Sequence, residues 1–218
     1  MHGNQVSLVC FAVKEESRFF RPPIQASPRV QVCLTGIGPE NARRAVLSAL
    51  EHFPPTLVLT CGFAGGLNPR MKHGVLLFDA DPSAGVDCVL GGLGAVPAVF
   101  HTSRQIAGTV GEKAALRNQT AADAVEMESG AVRQICRERN IPSATIRVVL
   151  DSAADNLPLD FNGLMTAQQR LNYVKLIVLL AKSPGRIVSL IRLRAQAARA
   201  AKTLGSALNE LLNVSEIH

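Results

Sequence analysis

Short apolar segments alternate along the chain with longer segments in which apolar residues recur at helical spacing. Five segments are β-branched and apolar, as strands covered on both faces should be: residues 6–13, 30–36, 56–62, 97–102 and 144–150. Three others have the helical pattern: residues 40–53, 110–117 and 128–139. The alternation predicts an α/β protein, a three-layer α/β/α sandwich around a mixed, mostly buried central sheet.

Two of the predicted helices begin with a local signal. Pro39 suits an early helical position, where its missing N–H costs no hydrogen bond. Thr109 and Glu112 have the spacing of a capping box, in which each side chain bonds the other residue's backbone N–H. Both signals strengthen the predicted helices that follow them.

The chain of 218 residues, 47% of them hydrophobic, is long enough for one substantial core. We expect one main domain over residues 1–182 and an appended basic amphipathic helix over residues 183–218. The first dozen residues lack the basic start and long apolar run of a signal peptide, so we expect a cytoplasmic protein. The five histidines are scattered without a helical i, i+4 pair, and we predict no metal.

The net charge of +6 is concentrated near the end of the chain. Between positions 182 and 209 no acidic residue accompanies the basic ones, which are Lys182, Arg186, Arg192, Arg194, Arg199 and Lys202. Elsewhere the charges nearly balance, and aromatic residues make up only 4% of the chain. A nucleic-acid partner is therefore not expected, since such sites spread basic residues over a groove or interleave them with aromatics.

The same segment has a helical apolar stripe, formed by Leu190, Ala197, Ala201, Leu204, Leu208 and Leu211. One interpretation is a helix that docks on the core or on a second copy of the chain, and we expect a homo-oligomer. The other is a helix that lies on an anionic membrane surface through residues 183–212, at the inner membrane face. The sequence leaves both interpretations open.

Glycine loops and carboxylates follow successive predicted strands. Glu15 and Glu16 follow the first strand, TGIGPENA the second, CGFAGGLNP the third, and Asp151 the last. Ligands of α/β folds bind where strands end and loops turn into helices. These residues therefore predict a site for a polar ligand, and the absence of G-x-G-x-x-G argues against a dinucleotide.

Four motifs, TGIGPENA, CGFAGGL, VEMESGAV and RVVLDSAAD, occur in this order. Together they resemble the purine nucleoside phosphorylase and nucleosidase superfamily, including the methylthioadenosine/S-adenosylhomocysteine nucleosidases. The resemblance covers about residues 5–160, although the chain is shorter than those nucleosidases between Asp79 and Pro97. The segment after Leu157 is similar to the hopanoid-biosynthesis-associated phosphorylases, which are implied to release adenine from adenosylhopane.

The resemblance implies roles for VEMES in binding the nucleoside. Glu128 would accept a hydrogen bond from the ribose 2'-hydroxyl, and Met127 would lie against the sugar. Glu126 would make a second contact to the base or to backbone, and Ile106 would contact the base. In the alternative interpretation, both glutamates simply favour a helix N-terminus through the helix dipole.

Asp151 is the candidate acid that offers a proton to purine N7. An aspartate directly after an apolar strand is partly desolvated, which raises its pKa. The alternative is a turn or cap residue. The nucleosidases usually have a serine before this aspartate, whereas this chain has Leu150, so any role of that serine in orienting the acid is lost.

Glu16 bears on whether water or phosphate attacks the sugar. Nucleosidases are implied to carry a glutamate here that activates water, whereas bacterial phosphorylases carry an arginine for phosphate. Arg18 and Arg21 could reach an anion, and the loop Gly62, Phe63, Ala64 and Gly65 could hold the nucleophile or cradle phosphate, although Phe63 replaces a serine. Phosphate is the one co-substrate considered, and no other cofactor is expected.

These residues predict an enzyme that releases the base from a purine nucleoside. The adenine-type substrate would be 5'-substituted, such as adenosylhopane or methylthioadenosine, with hydrolysis and phosphorolysis both open. The alternative is a non-catalytic relative that binds a nucleoside or a membrane. The joint presence of Glu16, Glu128 and Asp151 favours the enzyme.

Overall fold

The computed structural model describes residues 6–22, 29–166 and 186–214. Eight strands within these residues form one sheet. The strands are β1 (Val6–Phe11), β2 (Arg29–Leu34), β3 (Leu57–Gly66), β4 (Leu76–Ala80), β5 (Val96–Pro97), β6 (Phe100–Thr102), β7 (Ala124–Glu126) and β8 (Ser143–Asp151). The main path has the order β2-β1-β3-β8-β4-β5, and β7 pairs with both β3 and β6.

The sheet is mixed. Strands β2, β1, β3 and β8 run parallel, whereas β4 is antiparallel to β8 and β7 is antiparallel to β3. The central strands are buried on both faces, as their continuous apolar sequences predict. The prediction that both faces of the strand are covered is wrong for β2, where Val32 and Leu34 are 39% and 43% exposed. This strand lies at the end of the main path and so has a neighbouring strand on one side only.

Helices cover the two faces of the sheet. They are α1 (Pro39–His52), α2 (Asp87–Gly92), α3 (Val110–Thr120), α4 (Ser129–Glu138), α5 (Phe161–Leu164) and α6 (Arg186–Val214), with a 3-10 turn at Pro82–Ala84. One apolar cluster joins α1 and α4 to β1 and β3, and another joins α2 and α6 to β1, β3 and β8. The predicted three-layer α/β/α sandwich is confirmed.

Both predicted helix starts are confirmed. Pro39 is the first residue of α1. The Thr109 hydroxyl accepts a hydrogen bond from the Glu112 N–H at 3.2 Å, and the Glu112 carboxylate accepts one from the Thr109 N–H at 2.9 Å. The capping box therefore begins α3 as its sequence indicates.

The prediction of one strand over residues 97–102 is wrong. The segment forms β5 and β6, which pair with different strands, β4 and β7. Between them the backbone N–H of Val99 donates to the Asp123 carboxylate at 3.0 Å, and the Asp123 N–H donates to the Val99 carbonyl at 2.7 Å. The chain thus crosses from one part of the sheet to another, and β4 and β7 themselves were not predicted.

Helix α6 docks on the same core over its C-terminal half. Leu204, Leu208 and Leu211 are fully buried in the larger apolar cluster. Gly205 lies so close to the loop after β1 that an added Cβ would be 2.6 Å from the backbone of Phe19. The expected boundary between residues 182 and 183 lies outside the described residues, as do 183–185 and 215–218, and homo-oligomer formation and membrane contact stay predictions.

Candidate active site

A cavity of about 680 Å³ opens where β1, β3 and β8 end. Because these strands are parallel, their carboxyl ends meet at one edge of the sheet. The lining includes Glu16, Glu128 and Asp151, three carboxyl groups that the sequence placed in different motifs. The structure therefore brings together the three residues on which the sequence-based prediction of an enzyme rests.

Glu16 lies in the loop after β1 with its side chain turned inward, 7% exposed. Its Oε2 accepts hydrogen bonds from the N–H groups of Ala12 and Val13 at 2.8 and 3.2 Å, and Oε1 accepts one from Phe63 at 3.0 Å. Burial raises the pKa of Glu16, while Arg147 and these three N–H groups lower it. A carboxylate has about four lone-pair sites, so Glu16 keeps one acceptor site on Oε1.

Gly62 explains how Glu16 reaches β3. A Cβ at position 62 would lie 2.4 Å from Oε1 of Glu16, closer than real Cβ atoms approach. Gly62 is not among the cavity-lining residues, whereas Phe63, Ala64 and Gly65 are. The segment CGFAGG was predicted to be a loop, but it lies within β3, where it pairs with β8. Gly62 thus makes room for a carboxylate, and the Phe63 N–H that could have faced phosphate is already bonded to Glu16.

The two glutamates of VEMES have different surroundings. Glu126 ends β7, and its Oε2 accepts hydrogen bonds from the Glu128 and Ser129 N–H groups at 2.9 and 2.7 Å and from Arg147 Nη2 at 2.7 Å. Its Oε1 accepts hydrogen bonds from the hydroxyls of Thr102 and Ser129 at 2.5 and 2.8 Å. Glu126 therefore bonds the backbone at the start of α4, and any contact to a base stays a prediction.

Glu128 is the N-cap residue of α4, yet its side chain makes no capping hydrogen bond to the helix. Oε1 accepts a hydrogen bond from the N–H of Gly38 at 2.9 Å, while Oε2 lies 3.6 Å from Arg147 Nη2. Burial and the neighbouring Glu126 raise the pKa of Glu128 to about 8, against the attraction of Arg147. The TGIGPENA loop therefore meets VEMES through Gly38, whose φ of +89° suits glycine.

Arg147 connects the two glutamates, and the sequence analysis missed it. It is 1% exposed, and its Nη2 also donates a hydrogen bond to the Thr60 hydroxyl at 3.1 Å. Among the described residues, its Nε and Nη1 have no hydrogen-bond partner. Burial lowers the pKa of Arg147, but the neighbouring carboxylates, above all Glu126, raise it above its ordinary value on balance. The available signal was a single cation inside the otherwise apolar strand ATIRVVL, since a buried charge requires a partner.

Asp151 ends β8 and is 8% exposed. The pairing of β3 with β8 shifts at Ala64 and Gly65, so that Ala64 is opposite Val149 and Gly65 is opposite Asp151. Side chains of a regular strand alternate between faces, but this bulge lets the consecutive residues Leu150 and Asp151 both line the cavity. The departure from regular pairing thus places the candidate acid.

The carboxyl group of Asp151 pairs with the ammonium group of Lys113, a fully buried residue of α3 that sequence reasoning also missed. Burial raises the pKa of Asp151, whereas Lys113 lowers it. The only sequence signal was weak: Lys113 shares the inward face of α3 with the partly buried Leu116. A lysine on such a face is normally expected to extend toward solvent.

The remaining predicted residues lie around these groups. Met127 and Ile106 line the cavity, and Ile106 is held by Asn162, which accepts a hydrogen bond from its N–H and donates one to its carbonyl, both at 2.8 Å. Arg18 and Arg21 do not line the cavity; Arg18 stacks on Phe19, and Arg21 bonds backbone carbonyls. The proposed anion contact of these two arginines is therefore not supported.

One wall of the cavity comes from elements that the motifs did not predict. Phe161 of α5 lines it, together with four residues of α6: Leu190, Leu193, Arg194 and Ala197. Helix α6 thus serves both the core and the cavity. Leu190 and Ala197 belonged to the predicted apolar stripe, but nothing in the sequence indicated that the stripe would face a ligand site.

An α/β sandwich with a cavity and buried carboxyl groups at its strand ends has the form of a ligand-binding protein. The chain belongs to the Phosphorylase superfamily, whose family model matches residues 9–78 and 91–179. The unmatched residues 79–90 fall within the segment from Asp79 to Pro97, where the sequence predicted a departure from the nucleosidases. The superfamily resemblance inferred from the four motifs is confirmed.

Solved structures with the same fold include two from Helicobacter pylori. Its futalosine hydrolase has a TM-score of 0.70 and 17% identity, covering 98% of this chain and 100% of its own. Its 5'-methylthioadenosine/S-adenosylhomocysteine nucleosidase has a TM-score of 0.65 and 18% identity, covering 96% and 100%. S-adenosylhomocysteine nucleosidase from Streptococcus pyogenes has a TM-score of 0.67 and 14% identity, and the match covers 96% of this chain and 98% of its own. At these identities the likeness establishes the fold.

Within residues 6–22, 29–166 and 186–214, no group of three His, Cys, Asp or Glu side chains could hold a metal ion. No helix in the same part of the chain is long and apolar enough to cross a membrane. The expected absence of a metal stays a prediction.

Proposed function

We propose that the protein cleaves the N-glycosidic bond of a purine nucleoside and releases the free base. The observation that carries this proposal is the convergence of Glu16, Glu128 and Asp151 on one cavity. Cleavage builds positive charge on the ribose and negative charge on the departing base. A hydrogen-bond acceptor beside the sugar hydroxyls and an acid beside the base would both lower the barrier.

Two of the carboxyl groups are suited to these roles. Asp151 is mostly buried with a raised pKa, which favours the protonated form that could donate to the base. Glu128 keeps acceptor sites that its hydrogen bond with Gly38 does not use, and these would accept the ribose 2'-hydroxyl. Met127 lines the same cavity and would lie against the sugar.

Water is the nucleophile that the site supports best. Three N–H groups hold the Glu16 carboxylate in place, and its remaining acceptor site could take a proton from water. Phosphate would have to approach this buried carboxylate, and like charges in a poorly hydrated site repel strongly. We therefore propose hydrolysis, with Glu16 as the general base.

Phosphorolysis is the second candidate, and Arg194 is the observation in its favour. This arginine of α6 lines the cavity and is exposed, so an anion could reach it. An arginine offers a planar set of donors that suits phosphate. Phosphate bound at Arg194 would make the reaction a transfer to phosphate.

A 5'-substituted nucleoside is the substrate class that we propose. Beyond the three carboxyl groups, the cavity wall includes the apolar side chains of Leu157, Phe161, Leu190 and Leu193. Burial of apolar ligand surface against such a wall favours binding, and a free 5'-hydroxyl offers no such surface. Adenosylhopane and methylthioadenosine are the two candidates, and a mutant of the Helicobacter pylori nucleosidase has been solved with 5'-methylthioadenosine in its active site.

Base release from a panel of nucleosides tests the proposal. Adenosine, methylthioadenosine, S-adenosylhomocysteine and adenosylhopane would each be incubated with and without phosphate, and the sugar product identified by mass spectrometry. We expect free sugar in phosphate-free buffer and a rate that collapses in Glu16→Gln but not in the exposed control Glu138→Gln.

Three results would contradict parts of the proposal. A sugar 1-phosphate formed only in the presence of phosphate would replace hydrolysis by phosphorolysis. A faster reaction with adenosine than with any 5'-substituted nucleoside would remove the proposed substrate class. Tight binding of the nucleosides without release of base would support a non-catalytic relative.

A further inference from the structure

The roles proposed above for Glu16, Glu128 and Asp151 do not explain why Lys113 is buried. Its side chain is fully buried, and its Nζ donates hydrogen bonds to the carbonyl oxygens of Ser152 and Asp155, both at 2.8 Å. The third group in contact with Nζ is the Asp151 carboxyl group. An ammonium group has three N–H donors and three acceptors surround it here, although Oδ2 of Asp151 has no hydrogen bond of regular geometry among the described residues.

This arrangement keeps the cation in place whatever the state of Asp151. Two of the three acceptors are carbonyls, which stay acceptors when Asp151 is protonated. The hydrogen bonds to these two carbonyls therefore hold Nζ beside Asp151 in both protonation states of the carboxyl group. Lys113 therefore places its ammonium group directly beside the candidate acid.

We propose that Lys113 is a positioning residue for Asp151, which orients the carboxyl group and stabilises the carboxylate that remains when its proton moves to the base. This inference rests on the proposed function. The proton leaves the Asp151 carboxylic acid and bonds to a purine ring nitrogen as the N-glycosidic bond breaks. The negative charge left on Asp151 then faces the Lys113 ammonium group, and Asp151 regains a proton from solvent.

Other charged groups face Asp151 from the surrounding loops. Asp155 raises its pKa and His73 lowers it. His73 Nε2 lies 2.8 Å from the Asp155 carboxylate, and both side chains are about 40% exposed, so water screens their effects. The contact of Lys113 is direct and buried, and removal of Lys113 should therefore change the pKa of Asp151 more than any change at His73 or Asp155.

The test measures the pKa of Asp151 without any substrate. Carbon NMR of protein labelled at the aspartate carboxyl carbons follows each aspartate during a pH titration, and the signal missing in Asp151→Asn assigns Asp151. Removing an opposite charge at this distance should raise the pKa by about one unit or more in Lys113→Met. The exposed Lys72→Met controls for loss of a surface charge and should leave it unchanged. Equal values in wild type and Lys113→Met would overturn the proposal.

Wild-type protein supplies a second test in case Lys113→Met does not fold. Nitrogen NMR of the lysine side chains should show Lys113 as an ammonium group throughout the titration of Asp151, with a chemical shift that changes at the pH where Asp151 titrates. A neutral amine, or a signal that does not respond to Asp151, would overturn the proposal.

Kinetics separate a positioning role from a merely structural one. The alkaline limb of the kcat/KM profile reports loss of the acid form, so in Lys113→Met it should move to higher pH together with the pKa of Asp151. The value of kcat should fall at least about tenfold, because the departing proton would leave an uncompensated buried carboxylate. An unshifted alkaline limb would contradict the role.

If neither wild type nor Lys113→Met cleaved nucleosides, the proposed function would fail, whereas the NMR result would still decide whether Lys113 pairs with Asp151.

Discussion

The protonation of Glu128 should make the stability of the protein depend on pH in a way that Glu128→Gln removes. Glutamine has nearly the same shape, and its amide oxygen can still accept the hydrogen bond from the Gly38 N–H. It cannot titrate. In the wild type, burial and the neighbouring Glu126 raise the pKa of Glu128 from 4.5 to about 8.

The sign and magnitude follow from the protons bound in each state. Between pH 4.5 and about 8 the folded protein keeps a proton on Glu128 that the unfolded chain has released. The free energy of unfolding therefore falls as pH rises through this window, by about 1.4 kcal/mol for each pH unit. Between about pH 6 and pH 7.5 the contribution of Glu128 should fall by about 2 kcal/mol.

Urea denaturation at several pH values measures this difference. The free energy of unfolding of Glu128→Gln, relative to that of the wild type, should rise by about 2 kcal/mol as the pH increases from about 6 to 7.5. Glu51→Gln, at an exposed position of α1, should follow the wild type at every pH. Parallel stability curves for wild type and Glu128→Gln would show that Glu128 titrates near its ordinary pKa and would refute the reasoning.

Three further predictions concern the candidate acid, Gly62 of β3 and the last helix. Asp151→Asn should abolish base release while circular dichroism shows an intact fold, and a wild-type rate would exclude Asp151 as the acid. Gly62→Ala should lower the rate at least about tenfold, since its Cβ would displace the Glu16 carboxylate, whereas Gly91→Ala, with open space around its Cβ, should not change it. Leu208→Ala should lower the free energy of unfolding by about 2–5 kcal/mol in urea, because this fully buried side chain packs in the main core, and a loss below about 1 kcal/mol would contradict the docking of α6.

Much of the fold could be predicted because its signals are local. The apolar runs mark the central strands, and Pro39 and the capping box at Thr109 mark two helix starts. Strand β7 was missed, since three residues are too few to show a period, and residues 97–102 were wrongly joined because the break depends on Asp123. A pattern in sequence cannot show which distant residue competes for a backbone N–H.

The candidate site was predicted in the same uneven way. Glu16 and Asp151 follow apolar strands, and parallel strands bring their ends to one edge, so sequence and topology together placed both residues at the cavity. The resemblance added Glu128. The sequence alone could not separate Glu128 from Glu126, which differ by two positions and yet face different partners.

Only the tertiary structure decided the electrostatics of the site. The sequence by itself determined an α/β sandwich and a set of carboxyl groups at strand ends, because periodicity and strand ends are properties of neighbouring residues. It did not determine that Lys113 would pair with Asp151, that Arg147 would pair with Glu126, or that α6 would form a cavity wall. Whether a buried carboxyl group holds its proton depends on which charges the fold brings within a few ångströms, and those charges come from distant parts of the chain.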